Sequence, residues 1–241
     1  MEKLEIDNIT FYKFSNLKCS HWITSKPFDM HKERGIANRN GIRQLLGLEQ
    51  KVVFPDQQHT GNVLVVGLAG ANVSYPNCDA LITTQKEVPI GVVTADCVPI
   101  LIEDQVANVV AAIHAGWRGT VQRIVKKTVQ KMIDEFGSKP ENIFAGIGPS
   151  ISPSVYEVGE DVYEEFSKND FNNELIFRRS DNVGKYYLDL WKANQMQLLE
   201  IAVPESNVEI SKMCTFTQTE TLYSARRDTI NTGRLAAIIK L

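Results

Sequence analysis

The chain has 241 residues, 43% hydrophobic and 23% charged, a composition that gives a sizeable core and excludes a disordered chain. Lys+Arg number 26 against Asp+Glu 29, a net charge of −3, so the basic excess of a non-specific nucleic-acid binder is missing. Apolar runs such as Val63–Leu68 and Ile90–Val93 fall far short of the roughly 20 residues that span a bilayer, and Met1–Asp7 is mixed in charge with no apolar h-region. Cysteines 19, 78, 97 and 214 contain no Cys-x-x-Cys pair. The expectation is a cytoplasmic protein with reduced thiols that binds neither nucleic acid nor membrane.

No repeat or low-complexity linker divides the sequence, so residues 1–241 are read as a single domain. Asn62–Leu68 is an apolar run rich in β-branched residues and predicts a buried strand. Asp79–Thr84, Ile90–Thr94, Val98–Glu103 and Asn108–His114 predict four more. Their connections Gln85–Pro89, Ala95–Cys97 and Asp104–Ala107 are too short for crossover helices, which need a dozen or more residues. This block should therefore be antiparallel or mixed, and its strands part of one sheet system. Val121–Phe136 repeats its apolar residues at three and four and predicts an amphipathic helix, with Thr120 as N-cap and Gly137 as terminator. Ile143–Ile147 predicts a strand, Asp161–Ser167 and Leu188–Ala202 helices, and Leu235–Ile239 a terminal strand. The fold class expected is α+β, with mixed sheets covered by helices.

Four segments are hard to explain as folding requirements: Gln57–Gly61, Thr94–Pro99, His114–Thr120, and Ser224–Asp228 followed by Thr232–Arg234. His59, Cys97 and His114 each stand at the end of a predicted strand, where loop-borne site residues converge. Two imidazoles and a thiolate suit zinc and leave a fourth tetrahedral position open, as a catalytic site requires. Taken singly, each has a structural reading too: a turn cap, a small buried residue, a strand-end histidine. Gly116-Trp117-Arg118-Gly119 joins a strand to a helix start, where backbone N–H groups and the Arg118 guanidinium could hold an anion; a buried Trp117 beside a solvated Arg118 is the alternative. Arg226-Arg227-Asp228 is either a second anion clamp or a solvated charge run.

In these motifs the sequence resembles the multicopper polyphenol oxidoreductase, or laccase-domain, family, also understood as broad-specificity purine nucleoside phosphorylases. The resemblance rests on Gln57-x-His59, Thr94-Ala95-Asp96-Cys97-x-Pro99 and His114-Ala115-Gly116-Trp117-Arg118-Gly119. Weaker likeness lies in Asn38-Arg39, Asp79–Thr83, Gly146-x-Gly148-Pro149, Tyr156-Glu157-Val158, Arg226–Asp228 and Thr232–Arg234. It implies a four-layer α/β/β/α sandwich, and a zinc ion, rather than copper, on His59, Cys97 and His114. It also implies phosphorolysis of adenosine, inosine, guanosine and 5′-methylthioadenosine, with adenosine deamination at the same site, in a monomer or homodimer. The family's Arg-x-Gly-Gly-Val-Ser segment is absent, and Ser25–Asn38 is shorter than its counterpart.

The two reactions make different demands. Phosphorolysis needs orthophosphate held against the anomeric carbon and stabilisation of the departing purine. Arg118 with the 119–121 amides, or Arg39 or Arg227, could hold the anion, and Asp96 could protonate or orient the base. Deamination needs an activated water, and the His-x-Glu…Pro-Cys-x-x-Cys pattern of nucleobase deaminases is absent. Four histidines are too few for a multi-copper oxidase. The alternatives are a cysteine hydrolase with Cys97 as nucleophile and His114 as base, or a non-enzymatic accessory protein.

Overall fold

The chain opens with an antiparallel meander of β1 (Glu2–Ile6), β2 (Ile9–Lys13) and β3 (Ser20–Thr24), followed by helix α1 (Ile36–Leu45). The structure, a computed structural model, describes residues 1–241. Next come β4 (Val63–Val66), β5 (Ala80–Thr83), β6 (Ile90–Thr94), β7 (Val98–Asp104), β8 (Val109–Ala115), helices α2 (Trp117–Val121) and α3 (Ile124–Phe136), and β9 (Ile143–Ile147). A small antiparallel sheet of β10 (Glu157–Gly159), β11 (Phe177–Arg179) and β12 (Lys185–Leu188) alternates with α4 (Glu160–Lys168) and α5 (Asn173–Ile176). Helix α6 (Leu190–Glu200), β13 (Val208–Ile210), α7 (Ala225–Asp228) and β14 (Leu235–Lys240) complete the order.

Five strands pair antiparallel as β1-β2-β3-β14-β6, and six form a mixed sheet, β13-β9-β7-β8-β5-β4, with parallel pairs at its two ends. The inner faces of the two sheets meet: Ile90, Val92, Ala237 and Ile239 share one buried cluster with Leu81, Leu101, Val110 and Ala112. On the other face of the six-stranded sheet, Ile82, Ile100, Ile102 and Ile113 pack against α3 and α6 through Val125, Val129 and Leu198. The other face of the five-stranded sheet packs Phe11, Ala236 and Ile238 on Ile42 of α1. Period-two alternation generates these layers: in β14, Ala236 and Ile238 face the helix while Ala237 and Ile239 face the second sheet. The α+β class and the four layers α/β/β/α are both present.

Several boundaries fall where the residue pattern placed them, among them Ile90–Thr94, Ile143–Ile147 and the core of α4. Three expectations need correction. Strands β6 and β7 do not belong to one sheet, because the corner Ala95-Asp96-Cys97 carries the chain from one sheet to the facing one, with Asp96 at a φ of 96°. The predicted helix Val121–Phe136 is two helices: Arg123 adopts a left-handed φ of 62°, and its guanidinium is held by Glu200 and the carbonyls of Asn169 and Asp170. Thr120 is therefore no N-cap; it is buried inside α2, where its Oγ1 meets Asn194 and its carbonyl accepts from Gln197 of α6. Gly137 does close α3, at a φ of 70° that favours glycine. Finally, Asn62–Leu68 contains an edge strand whose Leu64 and Val65 are 37% and 38% exposed, so its apolarity did not report burial.

Leu101 lies fully buried between the two sheets. Leu101→Ala should cost about 2–5 kcal/mol of unfolding free energy in urea titrations, the range for a truncated core leucine. A cost under about 1 kcal/mol would contradict the inter-sheet packing described here.

Candidate metal centre

The site is assembled at the ends of strands by backbone restraint. Gln57 lies against the free edge of β6, where its side-chain amide donates to the carbonyl of Val93 and accepts from its N–H, both at 2.8 Å. That pair fixes the chain two residues before His59, which gives the Gln-x-His spacing a physical reason. His59 itself has a left-handed φ of 61°, an uncommon conformation for a residue with a side chain. The turn is held because the backbone N–H groups of Gln58, His59 and Thr60 all donate to the carboxylate of Asp79, at 3.1, 3.0 and 2.7 Å.

Asp79 is fully buried at the head of β5. Its carboxylate also accepts from Thr60 Oγ1 at 2.9 Å and faces His114 Nδ1 at 2.7 Å, while its carbonyl accepts from the backbone N–H of His114 at 2.7 Å. One aspartate thus positions both histidines, and with His114 Nδ1 committed, Nε2 is the nitrogen left for a metal. Burial pushes the Asp79 carboxyl up, but His114 and the Thr60 donors outweigh it and hold it at about 2.

Cys97 comes from the sheet-crossing corner. Its Sγ lies 3.8 Å from His59 Nε2, and the His59 and His114 rings meet edge to face at 4.9 Å. Donor atoms of all three residues lie within 4.8 Å of one another. Burial raises the Cys97 thiol, but the neighbouring His114 and then His59 bring it down to about 6. Burial likewise lowers His114, and the Cys97 thiolate with Asp79 raises it to about 9. The metal-free pair is a thiolate beside an imidazolium. Tetrahedral zinc, with Zn–S of about 2.3 Å and Zn–N of about 2.0–2.1 Å, separates such ligands by about 3.3–3.6 Å, so donors that lie within 4.8 Å of one another fit the ion once side-chain rotations draw them in by up to about 1 Å.

The glycines of His114–Gly119 have a different use from an anion cradle. A Cβ on Gly116 would stand 2.8 Å from Cys97 Sγ and 3.0 Å from His59 Cδ2, and one on Gly119 would stand 3.1 Å from the carbonyl of Thr60. Glycine here lets the backbone approach the ligands closely. Arg118 is exposed, its guanidinium 4.4 Å from the centroid of the Trp117 ring.

Asp96 spends both carboxylate oxygens on the C-terminal segment, accepting from Thr215 Oγ1 and from the backbone N–H of Arg226, each at 2.6 Å. Arg227 donates to the carbonyls of Thr215, Phe216 and Leu222 and to Asp228, so every N–H of its guanidinium is engaged within the protein. The structure therefore brings His59, Cys97 and His114 together and leaves Arg118 and Arg227 apart from the open space they face. That space is a cavity of about 450 Å³ lined by all three candidate ligands, with Phe54, Tyr75, Arg39 and Arg234 in its walls. Asp79 and Arg234 stand in the sequence only as parts of the segments Asp79–Thr83 and Thr232–Arg234, with no role of their own. The available signal for Asp79 was a carboxylate placed immediately before an unbroken apolar strand.

Fold and site together define a member of the multi-copper polyphenol oxidoreductase laccase family: the chain belongs to it, its profile matching residues 26–241. A purine nucleoside phosphorylase of Bacteroides thetaiotaomicron is 42% identical over 213 residues, 84% of this chain and 79% of that one. Adenosine deaminase RL5, from an unknown prokaryotic organism, is 40% identical over 190 residues, 76% and 72% of the two chains. The crystal structure of YlmD from Geobacillus stearothermophilus superposes with a TM-score of 0.90 at 27% identity, covering 100% of this chain and 97% of that one.

Asp79→Asn places an NH₂ group where only acceptors fit, and should weaken metal binding about 10–100-fold in competition with a chromophoric chelator. Unchanged affinity would remove Asp79 from the account. In the metal-free protein, the rate of Cys97 alkylation by iodoacetamide should rise with pH through a midpoint near 6, because the thiolate is the nucleophile and its pKa is lowered to about 6. A midpoint near 9, read by mass spectrometry at Cys97, would contradict the His114 pairing.

Proposed function

We propose that the protein is a zinc-dependent purine nucleoside phosphorylase that also deaminates adenosine. The observation that carries this reading is the convergence of His59, Cys97 and His114, oriented by Asp79, on a cavity large enough for a nucleoside. The names of the relatives, a phosphorylase and an adenosine deaminase, support it. One thiolate and two imidazoles fill three tetrahedral positions and leave the fourth open, as catalytic zinc requires; copper takes the same three ligands in sites completed by a distant axial methionine, and no methionine lines this cavity. When bound, the metal supplies Lewis acidity toward a substrate oxygen or water.

The chain's own groups bind and orient. Phe54 and Tyr75 in the cavity walls offer apolar faces to a planar purine. His114 is held in one orientation by Asp79 and carries a proton at near-neutral pH in the metal-free state. Asp96 is a positioning residue, bracing the corner that carries Cys97. In phosphorolysis, orthophosphate bonds to the anomeric carbon as the N-glycosidic bond breaks, and the purine leaves with the bonding pair and a proton. In deamination, water adds at C6 of adenine and ammonia departs. Adenosine, inosine, guanosine and 5′-methylthioadenosine are the substrates to compare.

One geometric fact favours a second reading. Cys97, His114 and Asp79 stand in the order nucleophile, base and orienter, the arrangement of a cysteine hydrolase. Metal content separates the two. Adenosine cleavage to adenine should require phosphate, yield ribose 1-phosphate and cease after chelation, and Cys97→Ser should lose both bound zinc and turnover. Cleavage by chelated protein that alkylation of Cys97 abolishes would instead favour the hydrolase. Full activity in metal-free Cys97→Ser protein would overturn both.

A further inference from the structure

The same cavity has a second wall of different chemistry. His31, Lys32, Arg39 and Arg234 line it against a single carboxylate, Asp56, whose Oδ2 already accepts from Gln58. Arg39 donates through Nε to the carbonyl of Met30 at 2.8 Å, and its guanidinium lies 4.6 Å from the centroid of the Phe54 ring. Its terminal N–H groups have no protein acceptor, and no carboxylate pairs with it. Arg234 uses its terminal nitrogens on the carbonyls of Thr232, Gly233 and Ile230, leaving Nε–H uncommitted.

His31 accepts at Nδ1 from the N–H groups of Glu33 and Arg34, at 3.2 and 3.3 Å. Burial, with Arg34 and Arg234 nearby, holds its pKa below the usual value, so the neutral ring carries its proton on Nε2 as a donor. Asp29 ties this wall together: its Oδ1 accepts from the backbone N–H groups of both His31 and Arg234 at 2.8 Å, and its carbonyl accepts from Asn38, the neighbour of Arg39. Thr94, 2% exposed, lines the same cavity with a hydroxyl that has no partner in the protein. Asp29 lies near both arginines but forms no ion pair with either guanidinium, and half-buried guanidiniums with spare donors are costly to desolvate unless an anion completes them. A planar fork of N–H groups matches a tetrahedral oxyanion.

We propose that Arg39, Arg234 and His31 form a phosphate-group subsite in the cavity that the metal centre opens onto. The assignment deepens the phosphorylase reading and rests on it for the choice of substrate. It places the anion on this wall instead of on Arg118 or Arg227. The group has two possible sources, orthophosphate as the attacking anion or the 5′-phosphate of a nucleotide, and the test separates them.

The probe is inorganic phosphate, titrated calorimetrically into the zinc-loaded full chain, alongside steady-state kinetics with adenosine. Arg39→Gln should weaken phosphate binding at least tenfold with zinc content and thermal midpoint unchanged, and Arg39→Lys should recover part of the loss. If orthophosphate is the occupant, the KM for phosphate rises at least tenfold while that for adenosine stays within twofold. If a nucleotide is, Arg39→Gln leaves the phosphate KM unchanged and abolishes competitive inhibition by adenosine 5′-monophosphate. Either result upholds the subsite. Wild-type binding of both phosphate and the monophosphate by Arg39→Gln would overturn it. A wild-type protein that binds phosphate through Arg39 yet cleaves no nucleoside would defeat the phosphorylase reading and leave the subsite standing.

Discussion

The buried carboxylate of Asp79 is the contact on which the site depends. Five donors from two separate stretches of chain, three of them consecutive backbone N–H groups, meet its two oxygens. An isolated carboxylate in this position would carry a heavy desolvation cost, and its loss would leave the buried His114 Nδ1 and several partly buried donors unmet, at up to about 1–3 kcal/mol for the buried one. That satisfied network holds the left-handed turn at His59 and occupies Nδ1 of His114, leaving Nε2 to the donor cluster. Both histidines are therefore oriented before any ligand arrives, and little rotamer freedom remains to be lost on binding.

The third ligand arrives by a different route. Two sheets face each other across an apolar interior, and the three-residue corner Ala95-Asp96-Cys97 carries the chain from one to the other. Cys97 sits on that corner, and Asp96, with its positive φ and two short hydrogen bonds, ties the corner to the C-terminal segment. Gly116 then clears the space in which Cys97 and His59 approach. The motifs Gln-x-His, Ala-Asp-Cys and His-Ala-Gly-Trp-Arg-Gly thus read as one steric and hydrogen-bonding problem solved three times. The cavity beyond them carries the His-Cys-His group on one wall and cationic side chains on the other, the division that the proposed phosphorylase reading calls for.

Much of this was legible in the residues. Unbroken apolar, β-branched runs with short connections between them located the strands of the central block, and the three candidate ligands stood out beside those strands, becoming a set through the motifs that carry the family resemblance. The facing of two sheets came from the family resemblance alone, since a tight connection between apolar strands looks the same whether it closes a hairpin or crosses between layers. The break at Arg123 was hidden because the apolar spacing continues through it, and only tertiary contacts to Glu200 and the 169–170 carbonyls hold it. The meander Glu2–Thr24 has weak alternation and buries mainly Phe11, Phe14 and Ile23, too few residues to announce a sheet. Arg39 and Arg234 are 195 positions apart, and sequence spacing says nothing about such pairs. Arg118, by contrast, drew attention through its motif, whose glycines answer to the ligands beneath them.

X-ray absorption at the zinc edge of protein purified without chelator tests the centre most directly. One sulfur at about 2.3 Å and the remaining nitrogen or oxygen neighbours at about 2.0–2.1 Å are predicted, with the sulfur shell lost in Cys97→Ser. A first shell of light atoms alone in the wild-type protein, or a sulfur shell that survives the substitution, would contradict the account.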